Sequence, residues 1–190
     1  MFKDKIIRYF ETSGKINSEE TLQLAYKRSC ELGIKNVIVA SSTGETGLRA
    51  LEIFRNINVI VIPLVTGHKT PGKQELLEEN AKKIKKQGGT IQIAGQAFSG
   101  VNAAIYTKFN TMYPVGIIAQ TLRLFGQGMK VAVEITAMAA DAGLIPLEEE
   151  IISIAGSHRG ADTAIVIKPE ISRKMFDIEI REIITKPRSI

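Results

Sequence analysis

The sequence predicts an α/β domain, a three-layer sandwich whose mostly parallel sheet is covered by helices and turns more antiparallel toward the C-terminus. Two observations predict it. Val- and Ile-rich runs of strand length, such as "NVIVA" and "NVIVI", recur along the chain, and segments of amphipathic helical period separate them. With 190 residues, 44% hydrophobic and 24% charged, the chain is long enough for a sizeable core and is neither disordered nor a disulfide scaffold. One domain over 1–190 is expected, entered by an N-terminal arm over 1–15.

After the arm, Asn17 and Glu20 give a capping-box-like start to a helix ending near Gly33. "KNVIVAS" is a buried strand. The loop "STGETG" leads into a helix with Gly47, Ala50, Leu51 and Phe54 on one face, and "INVIVIPLV" is a second strand. "TGHKTPG" is a loop. Residues 73–87 form an amphipathic helix stopped by Gly88 and Gly89, carrying Glu78 to Lys82 and Glu79 to Lys83 as i, i+4 pairs. "TIQIAG" is a third strand, "QAFSG" a loop, and two helical stretches follow, the second opening with Pro114 and closing near Gly126 to Gly128. "MKVAVEIT" reads as a fourth strand leading into a short helix that ends at Gly143. "EIISIAG" and "DTAIVIKP" are two more strands, and the alternating "FDIEIREII" is expected at a half-exposed sheet edge.

The net charge of +5 and pI near 9.3 come from scattered basic residues, a solvated surface rather than a nucleic-acid footprint, and a modest positive surplus suits small anionic ligands. Asp4, Arg8 and Glu11 interrupt the apolar pattern of the N-terminus, so neither a signal peptide nor a membrane span is expected, and the cytosol is the expected location. Cys30 follows the helical spacing of Leu22, Ala25, Tyr26 and Ser29 and is expected to pack. Two histidines and one cysteine give no zinc spacing, and no metal is expected. Phe2, Ile6, Ile7 and Phe10 of the arm have no core of their own. They imply either a homo-oligomer contact or an arm folded back onto the sheet.

In a parallel sheet, ligands bind beyond the carboxyl ends of the strands, which directs attention to five loops. Ser41, Ser42, Thr43, Gly44, Glu45 and Thr46 combine hydroxyls, a glycine and the free N–H groups of a helix start, which together suit a phosphate. Glu45 would repel that phosphate unless it faces outward. The plain alternative is a helix cap by Ser42 or Thr43. Thr66, Gly67 and His68 end the second strand and either approach a ligand or only turn the chain. Gly95, Gln96 and Phe98 follow the third strand. Gln96 suits a donor–acceptor ring edge, and Phe98 either stacks on a ring or packs in the core. Glu134 is a candidate acceptor for a ribityl or ribose hydroxyl, with anchoring of neighbouring backbone amides as the alternative. Gly156, Ser157, His158 and Arg159 end a late strand. They offer a phosphate or ring-edge contact, or else form a polar turn steadied by Asp162.

The stretch S-x-T-G-x-T resembles the phosphate loop of flavodoxins, which holds the phosphate of flavin mononucleotide. A longer resemblance runs through "VIVASSTGETGLRALEIFRNINVIVI" and "GLIPLEEEIISIAGSHRGADTAIVIKP", which are similar to the C-terminal domain of pyruvate kinases. Thr43, Gly44, Thr46 and Gly47 fall on that domain's phosphate turn. In allosteric pyruvate kinases the two loops help bind a sugar bisphosphate. The resemblance thus implies one half-pocket from Ser42, Thr43, Gly44 and Thr46 and another from Gly156, Ser157, His158 and Gly160. The chain as a whole, including "KVAVEITAMAADAGLIP", resembles stand-alone archaeal and bacterial pyruvate kinase C-terminal-domain-like proteins, for which bound flavin mononucleotide is the expectation. These 190 residues leave no room for a catalytic barrel, so pyruvate kinase activity is not expected.

No nucleophile and base pair stands out, so any reactivity would be supplied by a cofactor. The expectation is a protein that binds flavin mononucleotide and acts, if it is an enzyme, as a flavin-dependent oxidoreductase. The rival is a non-catalytic sensor of a phosphorylated sugar or metabolite. A flavin requires an apolar slab near Phe98, whereas a sugar requires mostly polar walls.

Overall fold

The computed structural model describes residues 4–189, and Phe2 of the arm lies outside them. Its seven-stranded sheet is built from β1 (Arg8–Phe10), β2 (Asn36–Ala40), β3 (Asn58–Ile62), β4 (Thr90–Ile91), β5 (Ile151–Ala155), β6 (Thr163–Lys168) and β7 (Glu179–Pro187). Their spatial order is β1-β7-β6-β5-β2-β3-β4. The pairs β5/β2, β2/β3 and β3/β4 are parallel, β5/β6 and β6/β7 are antiparallel, and β1 joins β7 in parallel.

Side chains alternate across each strand, which sorts the Val and Ile runs into two cores. Val37, Val39, Val59, Val61, Ile152 and Ile154 face one layer, formed by α1 (Ser18–Leu32), α2 (Glu45–Ile53) and α3 (Glu78–Lys86). Ile38, Ile60, Ile62, Ile151, Ile165 and Ile167 face the other, formed by α5 (Pro114–Arg123) and α6 (Gln127–Asp141), with α4 (Gly100–Phe109) preceding them. The expected three-layer α/β architecture is observed. Among the described residues, no helix is long and apolar enough to cross a membrane.

Several elements differ from expectation. "MKVAVEIT" is not a strand but the first half of α6, a 15-residue helix of which twelve residues are buried. A helix enclosed on nearly all sides shows no polar face, so its period is not readable. Helix α3 begins at Glu78 rather than 73: Leu77 is still extended, with φ −68° and ψ 132°, and the Leu76 N–H donates to Gln74 Oε1 at 2.9 Å instead of to a helical carbonyl. Both expected ion pairs on it form, Lys82 to Glu78 at 2.7 Å and Lys83 to Glu79 at 3.9 Å. The alternating stretch lies half-exposed at the sheet edge over residues 179–184 of β7, as expected, but the arm covers the end of that edge as β1, pairing Arg8–Phe10 with residues 185–187, where Thr185 Oγ1 donates to the Arg8 carbonyl at 2.7 Å. The arm therefore folds back at Arg8–Phe10, while Ile6 remains 97% exposed.

Helix α1 ends at Leu32 with Gly33 left-handed, as expected, but Asn17 makes no capping bond and instead donates to the Thr12 carbonyl at 2.6 Å. Cys30 does not pack and is exposed on α1. Its neighbours Leu22, Ala25 and Ser29 hold the buried face, while Cys30 lies one residue past it.

Candidate ligand-binding site

A cavity of about 1100 Å³ opens where β2, β3 and β5 end. Ser41, Ser42, Thr43, Glu45, Thr46, His68, Gln96, Phe98, Glu134, Gly156, Ser157, His158 and Arg159 all line it. Four expected residues do not. Gly44 packs on α3, Thr66 accepts from Gln74 Nε2 at 3.1 Å, Gly67 donates its N–H to the Lys73 carbonyl at 2.8 Å, and Gly95 borders a separate cavity of about 250 Å³. The 64–74 loop closes on itself through these bonds and that of Gln74 to the Leu64 carbonyl, so Thr66 and Gly67 are engaged within the loop while His68 and Lys69 reach the cavity.

The turn at 41–46 is held from two sides. Ser41 Oγ accepts the Gly47 N–H at 3.1 Å, so the helix cap comes from Ser41 and not from Ser42 or Thr43. The Thr43 carbonyl accepts from Asn80 Nδ2 at 2.9 Å. Gly44 has φ 93°, and a Cβ there would lie 2.8 Å from both Asn80 Cβ and Leu76 Cδ1. Its glycine is thus required by the close approach of α3 rather than by a ligand. The Ser42, Thr43 and Thr46 side chains remain half-buried against the cavity, and the N–H groups of Thr43, Glu45 and Thr46 meet no protein acceptor among the described residues. Glu45 pairs with Lys15 at 2.6 Å. That ammonium, with the Arg159 charge adding to it, holds the Glu45 carboxyl below its ordinary range. Its charge is met by cations, which removes the objection to an anion at this turn.

The loop after β5 is clamped by Asp162, which is fully buried. Its Oδ2 accepts the Ser157 N–H at 3.0 Å and the Gly14 N–H at 2.9 Å, while Oδ1 accepts from Thr163 Oγ1 at 2.8 Å. Gly160 has φ 77°, and a Cβ there would stand 2.6 Å from Lys15 Cα. The loop and the residues leading into α1 therefore form one wall, finished by Ser18 Oγ accepting the Ala161 N–H at 2.9 Å. His158 and Arg159 project from it, exposed at the cavity mouth.

The inner wall is apolar, with Phe98, Ile62, Ala119, Ile135 and Met138 buried along it. Set into this wall are Lys130 and Glu134, one helical turn apart and hydrogen bonded to each other. Glu134 Oε1 also accepts the Phe98 N–H at 2.7 Å, so it anchors the loop that carries Phe98. Phe98 is a core residue that also borders the cavity, and Lys130 Nζ lies 5.6 Å from its ring centre. Sequence reasoning missed Lys130, although a lone lysine within an apolar run was the available signal. It also missed Lys15, Arg49 and Arg123, which reach the cavity from elements far apart in sequence, whereas Lys69, read beside His68, and Tyr106, read as a candidate stacking ring, do line it. Among the described residues, no cluster of His, Cys, Asp and Glu is grouped to hold a metal ion.

The fold and site define an α/β domain with a large cavity at the carboxyl ends of its strands. The chain belongs to the pyruvate kinase alpha/beta domain family, whose pattern matches residues 19–167. Among solved structures it is similar to a pyruvate kinase from Cryptosporidium parvum, at 14% identity and a TM-score of 0.44, over 80% of this chain and 23% of that one. It is similar also to the Cryptosporidium parvum pyruvate kinase in complex with ADP, at 13% identity and a TM-score of 0.42, over 80% and 24%. The chain thus spans about a quarter of the length of those pyruvate kinases.

Proposed function

We propose that this protein binds a phosphorylated ligand with a flat aromatic portion, for which flavin mononucleotide is the candidate. One observation carries the reading. A single cavity runs from the hydroxyl-bearing helix start at Ser42, Thr43 and Thr46 to an apolar wall around Phe98. The first end suits a phosphate, through unpaired N–H groups and the positive end of α2. The second suits a ring, since burial of flat apolar surface needs apolar walls. Gln96 also lines the cavity, as an amide able to meet a ring edge. No reaction is proposed, and any redox chemistry would be the flavin's own.

A second reading, a sensor of a phosphorylated sugar, is favoured by the charged residues that also line the cavity, Lys15, Arg49, Lys69 and Arg159, of which the first three are paired with Glu45, Glu19 and Glu75. The visible absorption spectrum of the purified protein, before and after flavin mononucleotide is added and the excess removed by gel filtration, separates the two. A retained flavin band supports the first reading. Colourless protein that releases added flavin overturns it, and binding of phosphorylated sugars by that protein would support the second.

A further inference from the structure

Lys130 is the only buried cation among the described residues, 5% exposed, and it lines the inner wall of the cavity. It projects from the first turn of α6, where one of its three ammonium protons is engaged by Glu134. Glu134 is fixed in turn by the Phe98 N–H at 2.7 Å, so the ammonium is held in place rather than free to swing. A buried ion pair of this kind contributes little to stability compared with apolar residues of similar volume. Its place among the buried Phe98, Ile135 and Met138 that line the cavity therefore points to recognition. A desolvated ammonium with unused donors attracts an oxygen that carries negative charge, or a carbonyl polarised toward it.

We propose that Lys130 forms an oxygen-recognition subsite at the inner end of the cavity. It takes a carbonyl or anionic oxygen on the flat portion of the ligand whose phosphate lies at the 42–46 turn. This rests on the phosphate and ring reading above. Glu134 acts as a positioning residue, aligning the ammonium while neutralising its charge when the cavity is empty. For flavin mononucleotide, the group received is a carbonyl of the pyrimidine edge.

The test titrates flavin mononucleotide against the full chain by flavin fluorescence, with inorganic phosphate as competitor. The variants are Lys130→Met and the double variant Lys130→Met with Glu134→Gln. The single change strands the Glu134 charge, so the double variant, which keeps an acceptor for the Phe98 N–H, carries the test if the single one does not fold. The expected result is an affinity for flavin mononucleotide at least tenfold weaker, a shifted visible band of the bound flavin, and unchanged competition by phosphate. Wild-type affinity and an unshifted band in a folded variant overturn the subsite and leave the phosphate reading intact. Failure of wild-type protein to bind flavin mononucleotide overturns the parent reading, and the flavin subsite with it. Parallel loss of flavin and phosphate affinity in the folded double variant also overturns the subsite, because it marks a general distortion of the cavity.

Discussion

Glu134 holds Phe98 by its backbone, at 2.7 Å from the N–H, while its second oxygen holds Lys130. One side chain of α6 thus ties the loop after β4 to Lys130, the only buried cation among the described residues. Replacing Glu134 with Leu leaves the Lys130 ammonium and the Phe98 N–H without partners inside the protein. A loss of about 3–5 kcal/mol is expected, as for other buried pairs broken on one side. Urea unfolding measures it. Adding Lys130→Met to Glu134→Leu is expected to restore most of the loss, and a double variant no more stable than the single one would show that the pair is not the cause.

At the phosphate turn, Thr43→Val and Thr46→Val together keep volume and remove two hydroxyls that face the cavity. Affinity for flavin mononucleotide is expected to fall by about 1–2 kcal/mol for each lost hydrogen bond, without a change in the urea midpoint. Calorimetric titration reads the first, and unchanged affinity would move the phosphate elsewhere.

Gly44→Ala places a Cβ 2.8 Å from Asn80 Cβ and Leu76 Cδ1 at a φ of 93°. Both the contact and the left-handed backbone oppose alanine, and a destabilisation of about 1–3 kcal/mol is expected. Asn80 also secures the Thr43 carbonyl, so displacement of α3 is expected to disorder the turn. Thermal unfolding and flavin affinity should fall together in this variant. Loss of only one would separate the packing of α3 from the shape of the turn.

Arg28 meets Glu182 through two donors, at 2.7 and 2.5 Å, joining α1 to β7, and its guanidinium holds the Glu182 carboxyl below the ordinary range. Arg49 holds Glu19 lower still, at about 2, but that pair is about half exposed, so water and salt screen it and its share is expected to be small. A depressed carboxyl stabilises the fold above its unfolded pKa, and that contribution is lost as pH falls through its folded value. Stability is therefore expected to decline on acidification below about pH 4.5, where unfolded carboxylates begin to bind protons. Arg28→Met should lower stability at neutral pH and flatten that decline. Urea midpoints at neutral and acid pH check it, and a decline as steep as wild type would exclude Glu182 as a contributor.

Much of the site was legible because phosphate-type loops are local. Ser42, Thr43 and Thr46 sit on six consecutive residues between a strand and a helix, and the sheet rule placed them at the strand ends. Gly44 was recognised as necessary for a different reason from the one the structure gives, since Leu76 and Asn80, its neighbours in space, lie more than thirty residues away. Lys130 and Glu134 were harder to read. Four residues apart, they share a face in a strand as well as in a helix, so their spacing does not separate the two. The alternation of Met129, Val131, Val133 and Ile135 then favours a strand, whereas Ala137, Ala139 and Ala140 extend the segment to helical length.

By itself the sequence determined the layers of this protein, because alternation in Val37, Ile38 and Val39 or Val59, Ile60 and Val61 commits each strand to two apolar cores wherever it is placed. Tertiary structure alone decided that 127–141 is a helix, that Arg8–Phe10 covers the edge of β7, and that Lys15 meets Glu45. Each of these depends on burial or pairing between segments distant along the chain. A buried helix loses its polar face, a three-residue strand has too few residues for a period, and an ion pair across the cavity mouth leaves no trace in local spacing.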